Sequence, residues 1–60
     1  MNEAEVLDYA RGLFEAHGAK AIAEAAQRAR GFEQKGASDE AATWRRIEEA
    51  LKLMAGANAS

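Results

Sequence analysis

Cysteine and proline are both absent from this chain of 60 residues. Without cysteine there is no disulfide framework and no thiolate zinc site. Because small secreted domains usually depend on such cross-links, a cytoplasmic location is predicted. The β-branched residues, which favour strands, number only four: Val6, Ile22, Thr43 and Ile47. The composition is dominated instead by alanine, glutamate, arginine, lysine, leucine and glutamine, so the sequence predicts an all-α fold.

Long apolar runs and an excess of one charge are lacking as well. No apolar run exceeds three residues, so no membrane-spanning helix is predicted. The acidic N-terminal segment has no hydrophobic stretch of the kind found in signal peptides. Eight basic and ten acidic residues are spread evenly over the two halves of the chain, which therefore has no basic arm for nucleic acid. The 48% apolar content predicts a folded chain.

Three amphipathic segments separated by glycine predict three helices, at about residues 2–17, 19–35 and 38–55. They would form a three-helix bundle in a single domain, residues 1–60, with a frayed tail at 56–60. Asn2 is predicted to cap the first helix, and Gly18 to end it with a left-handed backbone. The apolar stripe of this helix consists of Val6, Ala10, Leu13 and His17.

The second and third segments have different apolar lines. In the second, the predicted line is Ile22, Ala25 or Ala26, Ala29 and Phe32. Gly36 is predicted to end this helix and Ser38 to cap the next, whose first turn carries Asp39 and Glu40. The line of the third helix consists of Trp44, Ile47, Leu51 and Met54.

The boundary at Gly18 leaves an alternative architecture open. No Ser, Thr, Asp or Asn directly follows Gly18 to cap a second helix, and apolar positions continue in phase across it. A single helix over residues 2–35, packed against the helix at 38–55 as a dimeric hairpin, would satisfy the same pattern. Between the two, the sequence favours the three-helix bundle.

A sparse set of fixed points resembles a known group of proteins. It consists of an alanine-rich helix flanked by His17-Gly18, Gly36-Ala37-Ser38-Asp39 and Trp44-Arg45-Arg46-Ile47. This pattern resembles small uncharacterised all-helical proteins of alphaproteobacteria, in which a His-Gly pair closes the first helix, Gly-Asp opens the third, and Trp-Arg-x-Ile lies within it. The resemblance covers about residues 6–54, with two residues separating Gly36 from Asp39 here. It implies a bacterial protein with a break at Gly18, and it implies no activity.

Few side chains offer catalytic or metal-binding chemistry. His17 is the single histidine, and the positions three and four residues away on either side hold no second metal ligand. Adjacent carboxylates such as Glu48 and Glu49 point to different faces of a helix, and the five glycines are isolated from one another. We therefore predict no enzyme activity, cofactor, metal site or small-molecule substrate. His17 is expected to pack its ring on the apolar stripe and to donate to the last carbonyls of its helix.

Sixteen of the 29 apolar residues are alanine, which leaves thirteen larger apolar side chains to build a core. A core of this size makes a lone chain marginally stable and favours association. The sequence therefore predicts a protein–protein interaction module that forms a homodimer or binds another protein. Its predicted interface is an apolar seam made of Leu7, Phe14, Phe32, Trp44, Ile47 and Leu51.

Two other functions fit the same sequence features. The second and third helices have helix-turn-helix length and carry basic residues such as Arg28, Arg45 and Arg46, which is typical of a nucleic-acid-binding regulator. Against this alternative, Asp39 and Glu40 would stand at the N-terminus of the recognition helix, where carboxylates repel phosphates. A small inhibitor, such as a phage-encoded antagonist or an antitoxin, would have the same features as the interaction module.

Overall fold

A computed structural model describes residues 1–56 of the chain. These residues form an all-α bundle of three helices, with no strand among them: α1 (Glu3–His17), α2 (Lys20–Gln34) and α3 (Ser38–Met54). The predicted three-helix fold is confirmed. The alternative of one long helix over residues 2–35 is wrong, because α1 ends before Gly18 and the backbone turns there. Of the predicted frayed tail, residues 57–60 lie outside the described part.

The start of α1 is fixed by a reciprocal pair of hydrogen bonds between Asn2 and Glu5. The Asn2 side chain accepts a hydrogen bond of 2.8 Å from the backbone N–H of Glu5. In return, the Glu5 carboxylate accepts one of 3.0 Å from the backbone N–H of Asn2. This capping box satisfies two backbone donors that the helix itself leaves free, and it confirms Asn2 as the N-cap.

Gly18 makes the turn from α1 into α2. Its N–H donates to the Phe14 carbonyl at 2.7 Å, and its φ is +63°, as expected for a glycine that ends a helix. Its ψ of −144° lies outside the left-handed helical region, in a part of the map that essentially only glycine occupies. The following residue, Ala19, is the N-cap of α2. Its backbone angles are already helical, and no side chain caps the helix.

The end of α2 is a Schellman motif centred on Gly36. The Ala37 N–H donates to the Phe32 carbonyl at 2.9 Å, and the Gly36 N–H donates to the Glu33 carbonyl at 3.1 Å. Gly36 has a φ of +78°, which side chains with a Cβ rarely tolerate. The predicted helix end at Gly36 is therefore confirmed.

The prediction that Ser38 caps α3 is wrong. Ala37 occupies the N-cap position, and Ser38 is already the first helical residue. The Schellman motif uses Ala37 as its last member, so the chain enters α3 directly, and no side chain caps the helix. The acidic side chains predicted for the first turn, Asp39 and Glu40, are in that turn.

The core is small and made mostly of alanine. Helix α3 packs against both other helices, most extensively against α2, while α1 and α2 contact each other least. In the described part of the chain, two large side chains are fully buried, Ile47 and Leu51, and both belong to α3. Six of the nine buried residues there are alanine: Ala10, Ala21, Ala25, Ala29, Ala41 and Ala50. Within residues 1–56, no helix is long and apolar enough to cross a membrane.

The buried face of α2 differs from the predicted line. The buried residues are Ala21, Ala25 and Ala29, whereas Ile22 and Phe32 are only partly buried. The distance between two packed helices depends on the side chains at their contact, and alanine permits the closest approach. Helix α2 therefore turns its smallest residues towards α3, and its larger ones lie at the edge of the contact.

Candidate functional site

The six residues of the predicted seam do not form one surface. Ile47 and Leu51 are 1% and 0% exposed, so they belong to the core and cannot contact a partner while the bundle is folded. Phe14 and Trp44 are partly buried and pack against the core cluster, and Phe32 is also partly buried. Of the six, Leu7 alone is an exposed large side chain, at 41%.

Leu7 lies in a shallow groove of about 320 Å³ between α1 and α3. We call this surface the α1/α3 groove. Its apolar residues are Val6 and Leu7 from α1 and Ala50 and Leu53 from α3. Its charged residues are Glu3, Arg46 and Glu49.

Helical spacing explains how the sequence builds this groove. On α1, Glu3 is followed by an apolar pair three and four positions later, so all three lie on one face. On α3, the spacing from Arg46 through Glu49 and Ala50 to Leu53 repeats the same period. The groove is therefore the place where these two faces meet.

Leu53 is the residue that the sequence analysis missed. It is 63% exposed, more than any other leucine of the chain, and it stands across the groove from the exposed Leu7. The predicted apolar line of α3 includes Leu51 and Met54 but not Leu53. A signal was present, because Ala50 and Leu53 are three residues apart and continue a second apolar line beside the first.

The charged residues of the groove have no ion-pair partner within residues 1–56. Their neighbour Arg45 differs sharply. Its guanidinium donates two hydrogen bonds of 3.0 Å to the Glu33 carboxylate and one of 3.0 Å to Glu48. Arg45 thus joins α3 to α2, whereas Arg46, one position along the same helix, is available to a partner.

The hydrogen bonds at Arg45 shift the pKa values of the groups involved. Hydrogen bonding from Arg45, supported by its positive charge, lowers the pKa of Glu33 from its ordinary value. The same bonds, with that to Glu48, raise the pKa of Arg45. Both side chains are well exposed, so this pair is a surface salt bridge that links two helices rather than a reactive site.

A second cleft, of about 290 Å³, holds the single histidine. His17 Nδ1 lies 2.6 Å from a carboxylate oxygen of Glu24, and the His17 side chain is 45% exposed. Nδ1 thus pairs with a carboxylate of α2, so the expectation that His17 donates to the last carbonyls of its own helix is wrong. Leu13, a member of the predicted stripe, lines the same cleft. Glu24 was missed because it follows seven residues later, across the Gly18 turn, where spacing within one helix gives no guide.

Two aromatic side chains, Tyr9 and Trp44, also line this cleft. The Tyr9 and Trp44 rings meet edge to face, with their centroids 5.6 Å apart. The Arg28 guanidinium carbon lies 5.3 Å from the centroid of Trp44, a cation–π contact. In these contacts the side chains that line the cleft pack against one another. Because they come from all three helices, they stabilise the junction of the three.

The chemistry of the described residues is limited. Among the residues that the structure describes, no serine or threonine lines the cleft around His17, where the imidazole could activate it as a nucleophile. Within residues 1–56, no group of three His, Cys, Asp or Glu side chains is placed to hold a metal ion. No protein-family model, curated protein or solved structure matches the chain, so geometry and chemistry alone support a functional proposal.

Proposed function

We propose that this chain is a non-enzymatic protein–protein interaction module that self-associates through the α1/α3 groove. One observation carries the proposal: Leu7 and Leu53 are exposed on either side of an apolar floor formed by Val6 and Ala50. Leucine side chains that a helix pair leaves exposed around a groove are typical of a surface that binds another protein.

The small core supports the same proposal. Among residues 1–56, only two large side chains are fully buried and most other buried residues are alanine, so the monomer removes little apolar surface from water. A chain of this length gains stability when a second copy covers its remaining apolar surface. Association through the groove would do this without any further residues.

The nucleic-acid alternative has less support. Arg45 is held by two carboxylates and Arg28 lies over the Trp44 ring, so two of its basic side chains already have partners. At the start of α3, where a recognition helix would meet the bases, Asp39 and Glu40 add negative charge. Binding to phosphates is weakened by both features.

The test is the solution mass of the chain with and without Leu53. Light scattering over a range of concentrations should show a dimer for the parent chain and a monomer for Leu53→Glu, because a buried charge opposes association. Circular dichroism should show equal helix content, since Leu53 is exposed in the monomer. Leu51→Glu would be uninformative, because Leu51 is part of the core.

Ala23→Glu is the matched control. Ala23 is exposed on α2, which contributes nothing to the groove, so the same added charge should leave the dimer intact. A parent chain that stays monomeric at millimolar concentration would refute self-association. Equal masses for the Leu53→Glu and parent dimers would instead show that another surface is used.

A further inference from the structure

Two of the charged residues that line the α1/α3 groove, one positive and one negative, lie close together on α3. Arg46 and Glu49 are three residues apart, both line the groove, and neither has an ion-pair partner in the described part of the chain. Between the charges and Leu53 lies Ala50, whose small side chain lets a neighbouring helix approach closely. This face of α3 therefore presents a positive charge, a negative charge and an apolar side chain to a partner.

A second groove, between α2 and α3, is lined by small residues such as Gly36, Ala41 and Ala42, and no exposed large apolar side chain of the described residues lines it. The exposed large apolar side chains among residues 1–56 are Met1, Leu7, Tyr9 and Leu53, and Leu7 and Leu53 line the groove. Tyr9 is packed edge to face on Trp44, in the other cleft. Hence the surface best able to cover the groove is the same groove on another copy, which is the condition for a two-fold contact.

Resting on the proposed self-association, we propose that the dimer is two-fold symmetric and that Arg46 and Glu49 determine its pairing, each Arg46 contacting the partner's Glu49. In this arrangement the two-fold axis crosses α3 at right angles between Arg46 and Glu49. The two α3 helices then run in opposite directions, and unlike charges of the two copies face each other. Each copy supplies both members of the pair, and the contact is made twice. Complementary charges of this kind select the correct partner, because like charges placed opposite each other oppose binding.

Charge reversal tests this pairing directly. Arg46→Glu gives a groove whose charges are all acidic, and Glu49→Arg makes both α3 charges basic. Each variant alone should dimerise at least about tenfold more weakly than the parent in sedimentation at physiological salt, because like charges then meet across the axis. An equimolar mixture of the two variants should form heterodimers, and native mass spectrometry separates these from either homodimer. The chain that carries both reversals should dimerise like the parent.

Arg11→Glu and Glu15→Arg are the matched controls. They change the net charge by the same amounts on the exposed surface of α1, outside the groove, and should leave dimerisation at the parental level. Parental affinity for both single reversals, or failure of the mixture to form heterodimers, would overturn the pairing. If Leu53→Glu abolishes dimerisation but the charge reversals do not weaken it, the Arg46–Glu49 pairing is wrong, whereas the proposed self-association through the groove stands.

Discussion

Gly18 forms the turn between α1 and α2 with a backbone conformation that other residues rarely adopt. Gly18 combines a φ of +63° with a ψ of −144°, and a Cβ built on it would meet no atom within 4 Å. Space therefore does not restrict this position, and only the backbone conformation requires glycine. The same backbone ends α1, separates it from α2 and brings His17 and Glu24 together.

Gly18→Ala is expected to destabilise the fold by about 1–3 kcal/mol, because alanine is strained in this conformation. Gly12→Ala is the control, since Gly12 lies inside α1 and a new Cβ there would meet nothing within 4 Å beyond the local backbone of its own helix. There alanine should stabilise the helix by up to about 1 kcal/mol. Urea unfolding of both variants measures the two effects. Stabilisation by Gly18→Ala would mean that the chain runs through this point as one helix.

The starts of α1 and α3 should differ in how strongly the fold responds to the loss of a polar side chain. Asn2→Ala should lower the free energy of unfolding by about 1 kcal/mol, because it removes the capping box. Ser38→Ala should change it by less than about 0.5 kcal/mol, since the N-cap is Ala37 and α3 has no side-chain cap. Thermal unfolding of the two variants makes the comparison. A larger loss at Ser38 would place the start of α3 at a different residue.

At the scale of the helices, the bidentate contact between Glu33 and Arg45 is the clearest link between α2 and α3. Because Arg45 lowers the pKa of Glu33 in the folded chain, the folded state binds the proton more weakly than the unfolded state does. The contact therefore stabilises the fold above the ordinary Glu33 pKa of 4.5. This contribution is lost as the pH falls through the lower pKa of the folded state.

Glu33→Gln should accordingly lower the unfolding midpoint near neutral pH, and its difference from the parent should shrink as the solution is acidified below about pH 4. Glu15→Gln, at an exposed carboxylate of α1 outside the described ion pairs, should show no such convergence. Unfolding midpoints measured from about pH 7 to pH 3 test this. A difference that stays constant over the whole range would exclude a role for the carboxylate charge.

Most of the fold could be predicted from short sequence patterns that mark where each helix begins and ends. Asn2, Gly18 and Gly36 were recognisable because a helix cap or stop depends on a few adjacent residues. The buried face of α2 was not recognisable. Large apolar residues predict that Ile22 is buried, whereas close packing of the helices buries Ala21, Ala25 and Ala29. The contact of His17 with Glu24, and the groove at Leu53, arise from how the helices are arranged in space, which periodicity within one helix does not specify.

At the scale of the whole molecule, association and stability should be coupled. If the dimer buries Leu7 and Leu53, the thermal midpoint of the parent chain should rise with protein concentration by mass action. The Leu53→Glu midpoint should be independent of concentration and close to that of the dilute parent. Calorimetry over a hundredfold range of concentration measures both. A concentration-independent midpoint for the parent would show that the folded chain does not depend on a second copy.

The light packing of α1 has a consequence for how such a dimer would behave. Helix α1 contacts α2 least, and its contacts with α3 are fewer than those that α2 makes, yet α1 supplies half of the groove. A state in which α1 has detached from a still folded α2–α3 pair would lack the binding surface altogether. Docking of α1 and pairing of two copies are then linked equilibria. A rising concentration would further reduce the already small fraction of folded chains in which α1 is detached.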